Sequence, residues 1–181
     1  QKIRSQTEHI CKPLEPEDTV VQPMIDVSPP KWHLGHTTWF FEELLLVRFY
    51  PGYCRFNAQY SGLFNSYYNT IGERTFRADR GNMTRPGVSE VYAYRAHVDG
   101  GMMELLSKEI SNELRELIEL GLNHEQQHQE LLLTDIKYIL GHNPLFPVYS
   151  EKEIEAKSDM KKDSGFELSN NDSEKSNFLR T

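Results

Sequence analysis

Between residues 112 and 140, apolar side chains recur at Leu114, Leu117, Ile118, Leu122, Leu131, Leu132, Ile136 and Ile139. That spacing lines up one face of an α-helix. At about 1.5 Å per residue, such a helix crosses a whole small domain and must bury its stripe against other elements. Gly141 and Pro144 predict its end. The only material available to cover it is more helix. Residues 1–11 form a short helix stopped by Pro13 and Pro16. A second begins at Ser28-Pro29-Pro30, with Ser28 as the cap and Pro29 at the first helical position. It carries Trp32, Leu34, Trp39, Phe40, Leu44 and Val47 to Tyr50, before Pro51-Gly52.

A third helix spans residues 87–107, with Glu90 near its start and the stripe Val91, Arg95, Val98, Met102, Leu105. Gly100-Gly101 within it costs about 1 kcal/mol per glycine relative to alanine, which suggests close packing. No alternating strand pattern occurs, so the fold class is all-α, a four-helix bundle. The connection over residues 51–86 is long for a bundle. Its aromatics (Phe56, Tyr60, Phe64, Tyr67, Tyr68, Phe76) point to a packed excursion with a short helix near 57–70. After Tyr149 the composition turns polar, dense in charge over 151–163 and in Ser, Asn and Asp over 168–175. The expected organisation is a domain over 1–149 and a solvated, poorly ordered tail over 150–181.

Composition limits the function. The chain has 181 residues and a net charge of −7, which gives no general attraction for nucleic acid or anionic membrane. No apolar run approaches the roughly 20 residues of a membrane span. Cys11 and Cys54 are too few for a disulfide framework and suit unpaired thiols in a reducing cytoplasm. The sequence starts at Gln1 without a charged-then-apolar leader, so it reads as a trimmed cytoplasmic chain lacking a secretory signal.

The chemistry concentrates in Asn123-His124-Glu125-Gln126-Gln127-His128-Gln129-Glu130, a polar block interrupting the apolar stripe of the long helix. His124 and His128 are one turn apart on one face, a geometry for two nitrogen ligands to one ion. Burying such a block without partners would cost several kcal/mol, about 2–7 per group; a metal and its surrounding hydrogen bonds would satisfy it. A solvated face is the alternative, with Gln126 and Gln129 turned outward. His124-Glu125-Gln126-Gln127-His128 also fits the zinc-protease pattern, in which the Glu is a general base. That reading lacks a third ligand, because His142 lies beyond the expected helix end. In Trp32-His33-Leu34-Gly35-His36-Thr37-Thr38-Trp39, His33 and His36 are equal candidates for a third ligand. Gly35 would let another helix approach, and Trp39 and Phe40 would wall the site. His97 is a further candidate; His9 and His142 sit at element ends.

Residues 32–42 and 123–140, with Phe64-Asn65-Ser66-Tyr67-Tyr68-Asn69, Arg77-Ala78-Asp79-Arg80-Gly81 and residues 88–99, resemble the amino-terminal half of the ergothioneine-biosynthesis sulfoxide synthases. These are non-haem iron enzymes whose amino-terminal part is a DinB-like four-helix bundle. The resemblance covers residues 11–146. It implies that His36 joins His124 and His128 on Fe(II), with zinc or nickel as alternatives. It implies that Gln127 helps hold trimethylated histidine (histidine betaine), and that Arg77 and Arg80 bind carboxylates of a small-molecule thiol. Arg suits such bidentate recognition, although a solvated, ion-paired loop would also explain the two arginines. Three neutral imidazoles leave open positions on the iron for dioxygen and thiolate. In the family, the thiol sulfur is joined to the imidazole ring carbon as a sulfoxide. The family also has a carboxy-terminal domain of the formylglycine-generating-enzyme type, and nothing after Phe146 resembles it. The expectation is a chain that binds metal but holds only part of the substrate site. Alternatives are a stand-alone metal-dependent thiol transferase of the DinB-like kind and a non-catalytic metal-binding module.

Overall fold

A computed structural model describes residues 1–66 and 75–150. The chain divides into two units, Gln1–Tyr149 and Ser150–Thr181; of the second, Ser150 alone is among the described residues. The expected polar tail lies outside them, as do Tyr67, Tyr68, Asn69 and the end of the short helix expected near 57–70.

Among the described residues the secondary structure is entirely helical. The elements are α1 (Lys2–Cys11), α2 (Pro30–Phe41), α3 (Val47–Phe49), α4 (Tyr60–Leu63), α5 (Val88–Leu106) and α6 (Asn112–His142). Short 3-10 turns occupy Pro16–Val20 and Arg77–Asn82. α2 is central: it packs against α5 and α6, and α1 lies across α6 and α2. Every residue of α2 is buried, including Lys31, whose ammonium donates to the Met83 carbonyl. The core joins Trp32, Leu34, Trp39 and Phe40 of α2 to Val91, Tyr94 and Val98 of α5 and to Leu132 and Ile136 of α6.

Several local expectations change in the folded chain. Ser28 does not cap α2. Pro29 holds the cap position without a side-chain bond, while the Ser28 hydroxyl accepts from Arg80 and its N–H donates to Asp135. The helix continues past Phe41 through a π turn, Glu42–Leu46, which inserts an extra residue and rotates the remainder of the helix. Leu45 and Leu46 are therefore buried, whereas Val47 faces solvent. Glu42 anchors the turn: its fully buried carboxylate accepts from Tyr53 Oη at 2.8 Å, Tyr94 Oη at 2.7 Å and Phe56 N at 3.0 Å. Ser111 caps α6 by accepting from Leu114 N. Gly141 does not end that helix, which runs to His142.

Two glycines mark close approaches. A Cβ on Gly101 would lie 3.0 Å from the Tyr53 ring and 3.1 Å from Leu46, whereas one on Gly100 would meet nothing within 4 Å, so of the glycine pair of α5 only Gly101 packs tightly. A Cβ on Gly35 would lie 2.2 Å from the Phe64 ring. The element that approaches Gly35 is the loop after α4, and not a neighbouring helix as expected. Phe64 and Tyr60 of that connection are buried, as is Asn65, while Phe76 is exposed.

Candidate metal centre

α2 and α6 bring His36, His124 and His128 together. One ring nitrogen from each lies within 4.8 Å of the others, an arrangement that can hold a metal ion. Each ring is held differently. The His36 imidazole is sandwiched between the indoles of Trp32, at 4.4 Å and 15°, and Trp39, at 5.6 Å and 13°. Its Nδ1 lies 2.7 Å from the Phe64 carbonyl. A carbonyl only accepts, so Nδ1 carries the proton and Nε2 keeps the lone pair a metal needs. This is where the Gly35 approach matters: it seats the loop that aims His36. His124 lies against the Phe40 ring, and its Nδ1 is buried with no hydrogen-bond partner. Such an orphaned nitrogen costs roughly 1–3 kcal/mol, which a cation coordinated by that nitrogen would relieve.

His33 faces the same cavity without joining the cluster. Its Nδ1 is 2.9 Å from His128 Nδ1 and its Nε2 is 2.9 Å from Asp135 Oδ2. His97 lies elsewhere, exposed and bonded to the Cys54 carbonyl. Exposed His142 bonds the Tyr138 carbonyl one turn back in α6. Sequence reasoning misses Asp135. It sits seven residues beyond His128, two turns along the same helix face, and that periodicity is the available signal.

The buried carboxylate of the polar block is satisfied by ion pairs. Glu125 is completely buried and accepts from Arg4 Nη1, Arg95 Nη2 and Thr7 Oγ1, each at 2.8 Å. Burial alone would raise its pKa, but Arg4 and Arg95 more than offset this and hold it below the usual carboxylate value. A carboxylate engaged in this way is not poised as a general base, which removes the zinc-protease reading. Gln129 also turns inward, donating to the Ile3 carbonyl and to Thr7; Gln126 is exposed as expected.

The three rings open into a cavity of about 580 Å³. Arg77, Arg80 and Gln127 also border it, with Trp32, Ser66 and Leu131. Arg80 is buried over the Trp32 ring, 3.3 Å from its centroid, and donates to Ser28 Oγ at 2.8 Å and Ser66 Oγ at 3.2 Å. Arg77 is exposed and donates to the Asp26 carbonyl.

Residues 1–132 match the DinB superfamily. The chain belongs to that superfamily. No curated protein matches its sequence. The DinB-like domain is metal-dependent as a class, consistent with three clustered imidazoles in this chain. Imidazole suits iron, zinc, copper and nickel, so the donor set fits a transition metal without selecting one.

Electrostatics keep this DinB-like centre in its metal-ready form. Burial, helped by the neighbouring His124, pushes His36 down to about 3. Burial also lowers His124, His33 and, most strongly, His128. All four rings are neutral near pH 7, and metal binding requires neutral imidazole. Below the unfolded value of 6.5, the unfolded chain takes up protons that the folded chain refuses. Stability of the metal-free protein therefore falls as pH drops from 6.5, and the His36 share of that loss is complete near pH 3. By pH ~5 His36 alone should cost about 2 kcal/mol. Urea unfolding of metal-free protein between pH ~7.5 and ~5 measures this; an unchanged midpoint across the window would contradict it.

Proposed function

We propose that this chain is the iron-binding part of an oxygen-dependent sulfoxide synthase that joins a small-molecule thiol to the imidazole ring of trimethylated histidine. The DinB-like four-helix bundle would act in the cytoplasm together with a partner domain of the formylglycine-generating-enzyme type. The observation that carries the reading is the cluster of His36, His124 and His128 at the floor of a cavity bordered by Arg77, Arg80 and Gln127.

A ferrous ion held by the three histidines would supply the redox chemistry for a balanced reaction, in which thiol, ring C–H and dioxygen give sulfoxide and water. The chain's own residues do the rest. His36 and His128 present lone pairs from rings whose other nitrogen is already hydrogen-bonded. Arg80 offers a fixed positive charge at the cavity wall, held by Ser28, Ser66 and the Trp32 face, which suits a substrate carboxylate. Arg77 extends that charge to the cavity edge. Gln127, exposed one residue before a ligand, can hydrogen-bond the second substrate.

The test is anaerobic reconstitution with Fe(II), followed by trimethylated histidine, a cysteine-type thiol and the partner domain, with dioxygen uptake and product mass as readouts. One bound metal per chain is expected, with oxygen uptake that needs both substrates and yields the sulfoxide. Oxygen-independent thiol transfer with zinc would instead assign the stand-alone thiol transferase. Failure to bind metal would leave a non-catalytic module.

A further inference from the structure

Asp135 and His33 lie outside the three-histidine cluster, yet both are buried against it. The carboxylate Oδ2 of Asp135 accepts from the backbone N–H of Ser28 at 3.0 Å, just before α2 begins, and from His33 Nε2 at 2.9 Å. The other nitrogen of His33 then meets His128 Nδ1 at 2.9 Å. We infer that Asp135 and His33 form a carboxylate–imidazole relay that sets the tautomer and orientation of His128 for metal binding. The inference rests on reading the three-histidine cluster as a metal centre.

The order of protons follows from donor and acceptor chemistry. A carboxylate accepts only, so the His33 proton sits on Nε2. Neutral His33 then has a lone pair on Nδ1, and His128 Nδ1 must donate to it. That leaves the lone pair of His128 on Nε2. Reversing the chain, with His33 donating to His128, would put the His128 proton on Nε2 and remove the lone pair. The relay therefore selects the one neutral form of His128 that presents Nε2 as a ligand. Outer partners of this kind fix ring orientation and raise ligand basicity, and losing one typically costs about 10–100-fold in metal affinity. Here the relay also ties the entrance of α2 to the last third of α6, so the two helices supplying the ligands are held together beside the cluster. His33 and Asp135 are positioning residues, acting through His128.

The experiment compares wild type with Asp135→Asn, His33→Gln and the double variant, each shown to be folded by circular dichroism. Zn(II) affinity is measured by competition with a chelator, and Co(II) absorption reports the ligand set. Each single variant should bind one metal about 10–100-fold more weakly, with an unaltered Co(II) spectrum, and the double variant should lose no more than the worse single one. In metal-free wild type, long-range proton–nitrogen NMR should show His128 protonated on Nδ1 and His33 on Nε2, and the His128 preference should relax in Asp135→Asn. Unchanged affinity in folded variants, or His128 protonated on Nε2 in wild type, overturns the relay. A Co(II) spectrum altered in His33→Gln relative to wild type also overturns it, by making His33 a direct ligand. If wild type itself binds no metal, the metal reading has failed; if wild type binds and the variants bind equally well, only the relay has.

Discussion

Replacing His36, His124 or His128 by alanine is expected to weaken metal binding at least about 100-fold, in each case without unfolding the chain. Structural four-ligand zinc sites are worth roughly 10–16 kcal/mol in all. One ligand of such a set thus accounts for roughly 3 kcal/mol, or about two decades in affinity. The three variants should differ in the metal-free state. His36→Ala empties the slot between Trp32 and Trp39 and should lower stability by cavity formation, roughly 2–5 kcal/mol by analogy with other large-to-small changes. His124→Ala removes a half-buried ring whose Nδ1 has no hydrogen-bond partner, so metal-free stability should hold or rise. A substitution that stabilises the empty protein while destroying its metal affinity marks a residue kept for binding. Thermal melts with and without Zn(II) provide the measurement. Full metal-induced stabilisation in all three variants would end the metal reading.

The second large effect is structural. Glu125→Gln should destabilise the protein by roughly 3–5 kcal/mol, because it leaves Arg4 and Arg95 as buried charges without their shared counter-ion. For a chain of this size that corresponds to a fall in Tm of roughly 6–20 °C. Both guanidiniums converge on Glu125 from different helices. Arg4 comes from α1 and also pairs with Asp99; Arg95 comes from α5 and also reaches Glu8 and the Leu34 carbonyl. The node therefore fastens α1, α2, α5 and α6 beside the histidine cluster. Metal stoichiometry should stay at one per chain in the variant. Unchanged stability, with loss of a hydrolytic activity instead, would restore Glu125 as a catalytic base.

How legible the chain is depends on whether a property is local. Helix periodicity, the proline stops and the position of α5 can be read directly, because a helix buries residues at a spacing set by backbone geometry. His124 and His128 are legible for the same reason: four residues on one helix fix their relative placement wherever the helix goes. The π turn at Glu42–Leu46 escapes, since it is held open by Tyr53, Tyr94 and the Phe56 N–H, all beyond the turn itself. It leaves Val47, expected on the apolar stripe, exposed and buries Leu45 and Leu46.

The sequence by itself determined an all-helical chain with a polar block in the middle of its longest helix, and a set of histidines able to hold a metal. It left His33 and His36 equal and gave Glu125 two incompatible meanings. Only tertiary structure separated them. The Phe64 carbonyl and two indoles aim His36 at the cluster, Asp135 draws His33 aside, and two arginines from other helices neutralise Glu125. The physical reason is that a side chain's role is set by the donor, acceptor or charge it meets across the core, and those partners lie from about 30 to over 120 residues away along the chain.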